Sequence, residues 1–114
     1  GDSYRAGALL DVAARVIRTT PRLGISGYWV ADVAIHALRA QKAQALAALR
    51  DAEKAGWRGP GWRYYRDFEP NLASIRNEPE FKAVFADIER DMARQRAALA
   101  ARPKDAPLDV APAQ

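Results

Sequence analysis

AQKAQALAALRDAEKAG, residues 40–56, is the stretch on which the fold turns. Its apolar residues Ala45, Leu46, Ala48, Leu49 and Ala52 recur at the three-and-four spacing of one helical face. Gly56 follows as a residue that readily takes the left-handed conformation closing a helix. The spacing predicts a helix over about Lys42 to Ala55, with Arg50, Asp51, Glu53 and Lys54 on its outer, solvated face. Roughly a fifth of the 114 residues are alanine, far above average use, which extends the helical reading to the whole chain.

Towards the N-terminus, Asp2 and Ser3 are good helix caps, and Ala6, Leu9, Leu10, Ala13, Val16 and Ile17 return at helical spacing. This first helix is expected to stop near Thr19 and Thr20, because Pro21 disfavours helical geometry in the residue before it and LGISG follows. A second helix, about Tyr28 to Arg39, is apolar around most of its girth and carries one narrow polar stripe, Asp32, His36 and Arg39. Such a helix is expected to lie between neighbours, with the stripe facing solvent or a groove.

Towards the C-terminus, GWRGPGWRYYRDFEPN (residues 56–71) mixes helix breakers with five large aromatic residues, the mark of an ordered loop or short helix. Pro70 can open a further short helix with Leu72 and Ile75 inward. Asn77 and Glu80 have the spacing of a capping box, with Pro79 just inside it. The long helix that follows has Phe81, Val84, Phe85, Ile88 and Met92 as its apolar seam, thinning to alanines and Leu99 before Pro103. No period of two persists anywhere, so no strand is expected. One domain over residues 1–102 and a disordered tail over 103–114 follow from this pass.

The composition excludes several kinds of function. There is no cysteine, which removes disulfides, thiolate metal sites and thiol nucleophiles. His36 is the only histidine, and Ser3, Ser26 and Ser74 lack a nucleophile context, so neither catalysis nor a metal or cofactor is expected. No apolar run reaches the ~18 residues that a membrane span needs, and GDSYRAGALL lacks the layout of a signal peptide. A net charge of +4 is a modest excess. Part of it sits at Arg94, Arg96, Arg102 and Lys104, near a helix end where cations complement the dipole without any ligand.

Ala40, Ala45, Leu49 and Ala52 stand in the order of the second half of a tetratricopeptide repeat, and Gly1, Ala6, Leu10 and Ala13 repeat that order. The surplus over the roughly 34-residue unit lies between Pro21 and Gly27. DFEPNLASIRNEPEFKAVFADI, residues 67–88, resembles the segment that closes many bacterial tetratricopeptide proteins, through Asp67, Pro70, Leu72, Ile75, Arg76, Pro79 and Phe81. Glu78 stands where that pattern has an aspartate, and Asp32 where the family usually has a leucine. The resemblance implies an all-α fold. It would be an antiparallel helix-turn-helix array, a fragment of an α-solenoid at its C-terminal end, closed by a long capping helix. It further implies a non-catalytic module that binds a peptide or protein in a concave groove lined by the first helix of each pair.

On that reading the partner surface is Tyr28, Trp29, Asp32, His36 and Arg39. The plain alternative for the polar residues among them is a solvated stripe. Trp57, Trp62, Arg63 and Tyr65 form a possible secondary surface, where aromatic rings and arginine can stack bases or clamp an acidic peptide. The alternative for that cluster is a cap whose arginine stems cover the rings. Two further functions fit the same residues: a C-terminal regulatory or dimerisation segment of a larger signalling protein or transcription regulator, and nucleic-acid binding through the basic aromatic segment. Leu9, Leu10, Val16 and Ile17 on the first helix also predict a weak homodimer.

Overall fold

A computed structural model describes residues 2–19 and 29–105. Among them every regular element is helical: α1 (Asp2–Thr19), α2 (Trp29–Leu38), α3 (Lys42–Lys54), α4 (Trp62–Asp67), a 3-10 turn (Pro70–Leu72) and α5 (Pro79–Ala100). None of these helices is long and apolar enough to cross a membrane. The expected loop from Pro21 to Gly27 and residues 106–114 of the expected disordered tail lie outside the described residues.

The short connection between α2 and α3 comes from local chemistry. Ala40 has φ 59°, in the left-handed region. The Gln41 amide donates to the His36 carbonyl at 2.9 Å and the Ala40 amide to the Ala37 carbonyl at 3.1 Å, the paired bonds that close a helix around a left-handed residue. The end of α3 repeats the device with Gly56 at φ 99°, Trp57 donating to Ala52 and Gly56 to Glu53. The expected stop at Gly56 is therefore present. The same motif at Ala40 is strained, because its Cβ meets the backbone there.

The α2–α3 connection holds the two helices together, and Val30, Val33 and Ala37 of α2 share one buried cluster with Ala45, Leu49 and Ala52 of α3. Leu72 and Ile75 join it, then Phe81, Val84, Phe85 and Ile88 of α5, with Trp57 and Trp62 at one end. Leu49, Leu72 and Ile75 are completely buried, and each such side chain contributes about 1.5–3 kcal/mol. On the other side of α2 lies α1. Ile35 projects about 200° around the helix from Val33. It is buried outside the main cluster, as is Ile17 of α1.

Three expectations need correction. Asn77 does not cap α5: the cap is Glu78, its side chain bonds no helix amide, and it reaches instead to Lys42 Nζ at 3.2 Å. Arg50 and Glu53 do not lie on an open outer face: Arg50 pairs with Glu80 and Asp87 of α5, and Glu53 lies between Arg50 and Arg58. The stripe of α1 is split, with Ile17 buried while Leu9 and Val16 stand out in solvent. Its one packed neighbour among the described elements, α2, covers only part of the circumference.

Ion pairs fix the relation between α3 and α5. Lys42 meets Glu78, Arg50 donates to Glu80 at 3.0 Å and to Asp87 at 2.7 Å, and Arg58 donates to Asp91 at 2.8 Å. Residue numbers rise together on both sides, so the two helices run in the same direction along this seam. Glu53 lies between Arg50 at 3.7 Å and Arg58 at 3.6 Å, which links the pairs into one row. The Arg50 hydrogen bond holds the Asp87 carboxyl below its ordinary range, and the Arg58 hydrogen bond does the same for Asp91. A carboxylate held down in the folded state contributes stability above its unfolded pKa of about 3.9 and loses it as pH falls through the lowered value. Urea titrations should therefore show a midpoint that drops steeply on going from pH 5 to pH 2.5, with a shallower drop for Asp87→Asn; equal slopes would remove the seam from the account of stability. Ala40→Gly should raise the unfolding free energy by about 1 kcal/mol, measured in the same titration.

Candidate partner-binding surface

α2 carries the polar stripe into the structure in a constrained form. Asp32 and His36 are half-buried on one edge of the helix, between the side that meets α1 and the side that meets the core. His36 Nδ1 lies 2.8 Å from Gln41 Oε1. An amide oxygen only accepts, so Nδ1 is the donor in this contact. Arg39 pairs with Asp11 of α1, a polar tie between the two helices. The stripe is thus partly engaged within the chain: Arg39 anchors α1, His36 braces the turn at Gln41, and the edge between them remains accessible. Trp29 is the first residue of α2. Tyr28 lies outside the described residues.

The aromatic segment resolves into an inside and an outside. Trp57 and Trp62 are core residues, and Trp57 meets Tyr65 and Phe85 edge-on, at centroid distances of 5.5 and 6.4 Å. The Arg63 guanidinium lies 4.5 Å and that of Arg66 5.0 Å from the Trp62 ring centroid. Of the proposed secondary surface, then, only Arg63 and the half-buried Tyr65 reach the outside; the two indoles are not available to stack a base. Burying both tryptophans removes far more apolar area from water than presenting them would, and the arginines cover the remaining edge.

Sequence reasoning missed the residues that are exposed here. Tyr64 of α4 and Phe68, which caps that helix, sit one helical turn apart with ring centroids 6.5 Å apart, and Phe68 is 71% exposed. The nearby Glu69 carboxylate raises the Tyr64 phenol above its ordinary pKa. An i, i+4 aromatic pair was visible in the sequence, but nothing local distinguished its face from that of Trp62 and Tyr65.

Beside α4 and the start of α5 is a cleft of about 340 Å³ whose walls include Arg66, Arg76 and Lys82. Two of these cations are already occupied. Arg66 donates to both oxygens of Asp67, at 2.8 and 3.0 Å, which lowers the Asp67 pKa. Arg76 donates to the backbone carbonyls of Arg66 at 2.9 Å and Glu69 at 2.6 Å, tying α4 to the 3-10 turn. Among the described residues no three histidine or acidic side chains converge as a metal set.

No family model matches the chain, and no curated protein or solved structure matches it.

Trp62→Ala should cost about 3–5 kcal/mol in a urea titration, the range for emptying a large core site. Phe68→Ala should stay within about 0.5 kcal/mol. Comparable losses at the two positions would contradict this division of the aromatic segment.

Proposed function

We propose that the chain is a non-catalytic protein-binding module of the tetratricopeptide type, holding a peptide or protein along the accessible edge of α2. The observation that carries this reading is the complete burial of Ala45 and Leu49, with Ala52 at 2%, in the order expected of a second repeat helix. Small residues let α2 and α3 approach closely, and the leucine fills the space between them and the next element. α2 and α3 then read as one antiparallel helix-turn-helix pair. α4 with the 3-10 turn takes the place of the next first helix, and α5 that of the next second helix. The shared direction of α3 and α5 supports this, because equivalent helices of successive repeats run the same way. In such an array the first helix lines the concave wall, which assigns Trp29, Asp32 and His36 to the partner and leaves Tyr28 as its extension.

The arrangement also supports binding rather than chemistry as the role of the surface. The polar groups along α2 are an imidazole, a carboxylate and a guanidinium spread over one edge, with no nucleophile between them. That is a set for orienting a peptide by hydrogen bonds.

A random peptide library displayed against the whole chain should return a family of related sequences. Affinity of a synthetic member should fall at least tenfold on His36→Ala and should be unchanged on Lys104→Ala, as measured by calorimetry. Asp11→Ala reports on the α1 anchor separately, since it breaks the Arg39 pair while leaving Asp32 and His36 in place. A selection that returns no sequence family, or an affinity indifferent to His36, would count against the proposal.

A further inference from the structure

The cleft beside α4 sets three cations against two carboxylates, and the carboxylates are not shared evenly. Asp67 gives both its oxygens to Arg66, and Glu89 stands 3.6 Å from the same guanidinium. Arg76 lowers the Asp67 carboxyl through space but forms no hydrogen bond with it. Lys82 is exposed, and its side chain has no hydrogen bond or ion pair among the described residues. We propose that this cleft binds a small monocarboxylic acid with an apolar body, its carboxylate held by Arg76 and Lys82.

Arg76 is prepared for an oxyanion. Its Nε and Nη2 donate to the Arg66 and Glu69 carbonyls at 2.9 and 2.6 Å, which commits one edge of the guanidinium and holds the group in place. Those carbonyls satisfy hydrogens without neutralising the charge. The Nη1 hydrogens and the second Nη2 hydrogen are left over, and the edge they form can grip both oxygens of a carboxylate at once. A guanidinium already fixed loses little freedom in doing so. Lys82, near the start of α5, adds a flexible ammonium to the same cleft. The floor describes the rest of the ligand. Phe81, Phe85 and Ala86 lie on one face of α5, the two rings with centroids 4.7 Å apart, and an apolar body covers that surface where a second charge would not. Charge balance sets the valence: a single net positive charge matches one carboxylate, whereas a phosphate dianion would confront Asp67 and Glu89. A volume of about 340 Å³ is at the small end of ligand pockets, the size for one compact molecule. No residue of α2 lines the cleft, so the proposal stands or falls apart from the peptide edge.

The test is a titration of the full, isotope-labelled chain with phenylacetate, followed through amide NMR shifts. The Asn77, Lys82 and Ala86 amides should shift saturably with a dissociation constant of about 1 mM, and the neutral isostere phenylacetamide should move none of them. Lys82→Ala should weaken binding about fivefold. Arg76→Lys keeps the charge but removes the fork, and should weaken it about tenfold. Because Arg76 also ties α4 to the 3-10 turn, its variant is read only with an unchanged thermal midpoint; Lys82, exposed and unpaired, carries the test by itself if that variant unfolds. Lys54→Ala removes the same charge from the exposed side of α3 and should leave the affinity unchanged. Shifts that do not saturate, or an affinity indifferent to Lys82→Ala, would overturn the proposal. So would inorganic phosphate binding at the same amides as tightly as phenylacetate, which would make the cleft an unselective anion patch. An acetylated tetrapeptide ending in phenylalanine that binds more than about tenfold tighter would likewise overturn it, by assigning the cleft to a peptide.

Discussion

Ala45, Leu49 and Ala52 leave no room between α2 and α3, and the rest of the structure is arranged around that contact. A methyl at positions 45 and 52 sets how closely the helices approach, and a leucine at 49 fills what remains. With α3 fixed against α2, its far side has to be covered, and α5 covers it through Phe81, Val84, Phe85 and Ile88. The turn between α2 and α3 is built to permit this: a left-handed residue at 40 closes one helix two residues before Lys42 opens the next. That alanine rather than glycine occupies the position means that packing overrides a local conformational penalty.

Two kinds of force divide the work. Apolar burial decides which elements meet, since no charged or polar side chain lies in the core of the described residues. Charge then decides how they align. Parallel helices have no favourable dipole interaction, yet α3 and α5 run the same way, held in register by cations on one and carboxylates on the other. Such pairs are individually modest when exposed, but Arg50 and Arg58 are largely covered and each touches more than one acid. The same residues that give the register are engaged within the chain, so α3 and α5 do not offer them to an outside partner.

The division between inside and outside was only partly legible in the residues. Leu72, Ile75 and the seam of α5 could be placed inward from spacing alone, and all are buried except Met92, which packs partly against the core. Arg50 could not be placed, because a charged residue on an amphipathic helix reads as solvated until the helix that covers it is known. Trp57 and Trp62 read as a cap, with a stacking platform as the alternative; their burial rests on Phe85, which comes from α5, and on the Arg63 and Arg66 guanidinium groups over the Trp62 ring. Asn77 had the spacing of a cap, but Glu78 became the cap residue and was drawn to Lys42, a residue of another helix.

By itself, the sequence determined that the chain is helical, where most helices begin and end, and which apolar residues form the seams of α3 and α5. Those properties depend on neighbours within a few residues: periodicity, proline, left-handed closure and the absence of any alternating pattern. The tertiary structure alone decided that α3 and α5 share a direction, that Arg39 anchors α1 through Asp11, and which half of the α1 stripe stays in solvent. These depend on pairs of residues 28 or more positions apart. A helix can face its polar residues to water or to a neighbour's opposite charge at little difference in local energy, so only the arrangement of the whole chain makes the choice.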